Sequence, residues 1–147
     1  MAFLISSLLE FVVIIPILWA VSGSLPVTIL LFPLVFLIYF WFVFGVGLFL
    51  AALYVYFRDV NQIWEVLVNI LFFLSPIFYP MSAIKGAMPI YLLNPLTEFI
   101  IIYRDLMVYG NLPSLYSLAL ATAASLTAFI IGSLTFNKLQ RRFAEEM

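Results

Sequence analysis

Long apolar runs separated by short polar breaks dominate the chain, and no charged residue occurs between Glu10 and Arg58, between Glu65 and Lys85, or between Asp105 and Lys138. Uncharged runs of about 20 residues are what a helix needs to cross a hydrocarbon layer of roughly 30 Å. The pattern predicts an all-α integral membrane protein with four transmembrane helices and an external re-entrant helical hairpin, in one transmembrane domain over residues 1–147. The first span covers about 2–21 and is closed by Ser22, Gly23, Ser24 and Pro26, a cluster typical of a tight turn. A second covers about 27–56; some 30 residues at 1.5 Å each give roughly 45 Å, so tilt or projection into the interface is expected. Gly45, Gly47, Ala51 and Ala52 give it small positions where another helix can approach closely.

The first polar break, YVYFRDVNQIWE, carries Arg58, Asp59, Asn61, Gln62 and Glu65, with Tyr56 and Trp64 expected at headgroup depth. The third span covers about 63–80 and ends in SPIFYP, where Pro76 and Pro80 each remove a backbone donor. That break leaves the carbonyls of residues 72 and 76 without their usual donors, to be satisfied by Ser75 or nearby polar groups. Residues 81–113 contain the Asn94-Pro95 break and the turn Gly110-Asn111-Leu112-Pro113. Between Pro95 and Tyr109 lies an apolar helix of about 15 residues, roughly 22 Å and too short to cross, which suits a re-entrant element. The last span covers about 114–136 and is followed by the polar tail NKLQRRFAEEM, residues 137–147.

With this arrangement the Arg58 break and the tail share one side. That side holds four basic residues (Arg58, Lys138, Arg141, Arg142) against two on the other (Lys85, Arg104), which makes it cytoplasmic by the positive-inside rule. Of the 147 residues, 67% are apolar and 9% charged, far from the soluble average. The net charge of −1 gives no basic excess of the kind nucleic-acid binding requires. The absence of Cys and His removes thiolate and imidazole chemistry, whether metal-binding or nucleophilic. The N-terminal segment begins as a span with no basic residue before position 58, unlike a secretory signal. This leads us to expect that Met1 does not begin the complete protein.

Candidate chemistry is sparse. No Gly-Lys-Ser/Thr run is present, so the chain does not hydrolyse ATP through a P-loop, and no catalytic residue or cofactor is expected. Glu10 is the acid inside a span, and reads either as a functional group facing a protein interior or aqueous path, or as a group hydrogen-bonded to Ser6 and Ser7 one turn away. Arg58 and Asp59 read either as a solvated turn or as a cytoplasmic contact for another subunit. Arg104 and Asp105 read as structural pairing or contact with a polar ligand. Aromatic residues make up 18% of the chain, and on an inward face their rings stack against sugars, whereas on a lipid face they are apolar bulk.

Order and spacing are more specific than composition. The succession LYVYFRDVNQIWEVLVNILFFLSPIFYP, then NPLTEFIIIYRDLMVYG, then a final span ending GSLTFNKLQRRFAEEM resembles the ABC-2 type permeases that export O-antigen, teichoic acid or capsular polysaccharide. The resemblance covers nearly the whole chain, beginning at the family's third span, and so implies an N-terminally truncated subunit. It implies a multi-pass homodimer in the plasma (inner) membrane around an aromatic-lined channel, a lipid-linked glycan as substrate, and a separate ATP-binding cassette ATPase. It places Arg58 and Asp59 at a cytoplasmic turn, as candidate ATPase contacts secondary to the main coupling segment. Tyr79, Asn94, Pro95 and Arg104 fall in the channel or re-entrant region. The alternative is a small self-contained helical channel or assembly subunit. A membrane enzyme acting on lipid-linked sugars would need paired acids that the sequence does not assemble.

Overall fold

The computed structural model describes residues 2–22, 26–57, 59–77 and 94–143, and every element among them is helical. In chain order these are α1 (Ala2–Ser22), a 3-10 turn (Val27–Leu31), α2 (Phe32–Tyr56), α3 (Val60–Phe73), α4 (Pro95–Arg104), a π turn (Asp105–Tyr109) and α5 (Leu115–Phe143). Two stretches, Val27–Tyr56 with 30 residues and Leu115–Gln140 with 26, are apolar and long enough to cross a bilayer. α5 continues to Phe143, through residues read from sequence as a polar tail, so that part of the tail prolongs the last helix.

The frame is the pair α2 and α5, packed along most of their length. Ser125 Oγ donates to the Ile38 carbonyl at 2.9 Å, Gly132 meets Gly45, and the Tyr56 hydroxyl donates to the Leu139 carbonyl at 3.3 Å. Both sequences advance together along the contact, so the two helices run parallel. The close approach depends on glycine: a Cβ added at Gly132 would lie 2.1 Å from the Gly45 carbonyl oxygen, and one at Gly45 would lie 2.4 Å from the Phe129 nitrogen. Lipid gives helices no hydrophobic reason to associate, so backbone proximity of this kind supplies the dispersion contacts that hold them. The small positions of α2 divide accordingly. Gly45 and Ala52 are buried, whereas Gly47 and Ala51 are exposed.

The buried core is small and lies where α4 and its π turn meet the first halves of α2 and α5, around Val35, Phe99, Ile102, Leu106, Met107 and Ala121. α1 joins it through Phe11, whose ring lies 4.6 Å from that of Phe32 and 5.4 Å from that of Tyr103. Outside that core large apolar side chains face outward, among them Val12, Leu30, Ile70, Leu115 and Leu134. Such an exterior is costly in water and ordinary in lipid.

Candidate functional site

The Ser75-Pro76 step ends α3 by a definite substitution of hydrogen bonds, while residues 78–80 of SPIFYP lie outside the described residues. With Pro at 76, the Phe72 carbonyl loses its usual donor and instead accepts from the Ser75 N–H at 3.1 Å. That tightening removes the Ser75 N–H from the Leu71 carbonyl. Leu71 is compensated by two side chains, Ser75 Oγ at 2.7 Å and Asn94 Nδ2 at 3.2 Å. The Pro76 carbonyl accepts from the Arg104 guanidinium. The expected orphan at 76 thus finds its partner on α4, and Ser75 serves a carbonyl one residue earlier than position alone suggests.

Asn94 is the hinge of this arrangement. Its Nδ2 also donates to Ser75 Oγ at 2.9 Å, while its Oδ1 accepts from the Leu96 N–H at 3.0 Å and caps α4. Pro95 occupies the first helical position, where a missing N–H costs nothing. One side chain, 1% exposed, therefore caps one helix and completes the end of another 23 residues away. At the opposite end Thr28 Oγ1 donates to the Leu106 carbonyl at 2.9 Å. The π turn closes at Gly110, whose φ of 64° is left-handed and whose N–H donates to the Asp105 carbonyl. α4 is thereby fastened at both ends, to α3 below and to the α2 entrance above.

The first turn of α4 also buries Thr97 and Glu98, at 0% and 5% exposure. Among the described residues Thr97 Oγ1 and Glu98 Oε2 have no hydrogen-bond partner, and neither does the Tyr103 hydroxyl. An acid in the first turn faces the positive end of the helix dipole, which offsets part of the cost of burying Glu98. Sequence reasoning did not single out Ser75 and Asn94 as partners, nor Thr97 and Glu98 as buried polar residues, nor the half-buried Thr28 and Tyr103 as part of this junction. The available signal was Asn-Pro followed by Thr and Glu, an N-cap with an acidic first turn.

Two cavities flank the junction. One of about 690 Å³ lies between α2, α3 and the start of α4, with Phe42, Gly47, Trp64 and Leu71 on its wall. The other, about 360 Å³, reaches α1 and is bordered by Glu10, Phe11, Tyr39, Phe72, Phe99 and Tyr103. They share Tyr39, Val68 and Leu96. Walls of this kind offer apolar contact and ring faces, with little polar surface for bond-making chemistry. Among the described residues no three side chains of metal-ligating type come together.

The structure brings Asn94, Pro95 and Arg104 together with the end of α3, and places Glu10 on the smaller cavity. Glu10 has no hydrogen bond or ion pair among the described residues. Asp59 is exposed at the start of α3, its carbonyl accepting from the N–H groups of Gln62 and Ile63. Arg58 and Tyr79 lie outside the described residues.

This membrane-helix frame, with a short helix pinned against a proline-broken one, agrees with a direct comparison: residues 1–108 match the ABC-2 type transporter family, and the chain belongs to it. It is similar to two curated proteins named O-antigen export system permease protein RfbA. The one from Klebsiella pneumoniae is 35% identical over 106 residues, covering 71% of this chain and 40% of that protein. The one from Myxococcus xanthus is 30% identical over 150 aligned positions, covering 97% of this chain and 58% of that protein. The chain thus spans roughly half the length of these relatives. No solved structure matches it.

Proposed function

We propose that the chain belongs to the membrane-spanning permease subunit of an ABC transporter that exports a lipid-linked polysaccharide of the O-antigen, teichoic acid or capsule type. It acts as a multi-pass homodimer in the plasma (inner) membrane, energised by a separate ATP-binding cassette subunit. The observation that carries this reading is family membership together with relatives named for O-antigen export. The parallel α2 and α5 support the topology of four crossings with a re-entrant segment over 81–113, because they put the Tyr56 and Leu139 ends side by side. That end carries the Arg58 and Asp59 turn, offered to the ATPase, and is cytoplasmic by its basic residues. α4 begins at a buried Asn94 bonded to the end of α3 and emerges beside Pro26, as a re-entrant arm would. Irregular backbone at membrane depth is tolerated where protein shields it, and here Asn94, Ser75 and Arg104 do so. Gly47 and Ala51, exposed beside α3 and bordering the pockets there, are the small-residue positions of α2 through which a second copy would approach.

The test is export in a strain deleted for its own permease, supplied with the protein expressed from its natural reading frame, with and without the ATPase partner. Export is expected only when both are present and when the ATPase retains its P-loop lysine. Export without any ATPase would refute the mechanism.

A further inference from the structure

We propose that the 360 Å³ cavity between α1, α2, α3 and α4 binds a substituted ammonium group, with Glu10 as its counter-charge. Glu10 sits in an apolar helix between Leu9 and Phe11, borders the cavity, and has no donor among the described residues. A carboxylate inside an apolar span is costly unless a cation or donor meets it. The basic side chain on α4, Arg104, is committed to the Pro76 carbonyl. Ser75, also on the wall, already donates to Leu71 and accepts from Asn94, so it has no proton to offer, and the Tyr39 and Tyr103 hydroxyls, though on the same wall, make no hydrogen bond to Glu10.

The rest of the wall selects among cations. Phe11, Tyr39, Phe99 and Tyr103 form a connected set, with centroids 5.4 Å apart for Phe11 and Tyr103, 6.4 Å for Tyr39 and Tyr103, and 5.3 Å for Tyr39 and Phe99. Ring faces within about 6 Å attract a cation, and most strongly one that is weakly hydrated. A bare metal ion would require several oxygen ligands, which the cavity lacks. An alkylated ammonium needs one negative charge and apolar surroundings, which is what the cavity supplies. The proposal rests on the cavity's own residues and does not depend on the glycan reading.

The experiment measures thermal unfolding of the full-length protein in phosphatidylglycerol nanodiscs, titrated with tetramethylammonium chloride against sodium chloride at equal ionic strength. Tetramethylammonium is expected to raise the midpoint saturably in the wild type, with affinity reduced about tenfold in Glu10→Gln. Phe11→Leu, which keeps bulk and removes a ring, is expected to weaken the response and serves as a second variant should Glu10→Gln not fold. In discs containing phosphatidylethanolamine, a midpoint higher for wild type than for Glu10→Gln, with no further gain from tetramethylammonium, would mean that a lipid headgroup supplies the same ammonium. That outcome also supports the site. No saturable response beyond sodium chloride and no phosphatidylethanolamine effect, or a Glu10→Gln response equal to wild type, would overturn it.

Discussion

Asn94 holds two helices with one amide, and the contrast with its neighbour Ser75 makes the point testable. In Ser75→Ala the Leu71 carbonyl keeps its bond from Asn94, whereas in Asn94→Leu the α4 cap and the bridge to α3 both disappear. An unsatisfied buried group costs about 1–3 kcal/mol, so Asn94→Leu should destabilise by roughly that amount and Ser75→Ala by clearly less. Thermal unfolding in detergent would decide, and equal losses would contradict the account. Arg104→Met should likewise destabilise the fold, by about 1–3 kcal/mol, by stranding the Pro76 carbonyl. Prolines 76 and 95 announce these breaks in the sequence, and their missing donors are a local matter. The donors that replace them are not local: Arg104 lies 28 residues from Pro76, and nothing in the intervening pattern couples the two.

Between helices, the contact of α2 with α5 rests on Gly45 and Gly132. Valine at position 132 would force the backbones apart against the 2.1 Å clash, and a loss of at least about 1–3 kcal/mol is expected. Valine at Gly47, where an added Cβ meets nothing within 4 Å, should leave the fold intact. Circular dichroism melts of the two variants test this pair, with equal destabilisation as the contrary result. Sequence reading recognised the small positions of α2 as a packing face but not Gly132 as their counterpart. Helices that are apolar all round carry no moment to say which side faces protein. The parallel direction adds a second check, since the chain has no native cysteine. A short bifunctional thiol reagent should join cysteines placed at 38 and 125, and fail to join 56 and 125. α4 was legible as a short helix from its Asn-Pro start and its length, while the π turn that ends it left no signature.

For the molecule as a whole, lipid as solvent was legible from the charge-free runs alone, because few residues suffice to forbid a bilayer. The partners of the exposed faces were not, since an apolar surface reads alike whether lipid or a second copy covers it. The functional account requires that α2 and α5 cross the membrane in the same direction, with the Asp59 and Leu139 ends on the ATPase side and the Gly110 turn on the other. Single-cysteine labelling in intact cells with a membrane-impermeant maleimide tests this most directly, at positions 61, 111 and 140. We predict that position 111 is labelled from outside and that 61 and 140 are labelled only after permeabilisation. Labelling of position 140 in intact cells, with 111 protected, would contradict the account.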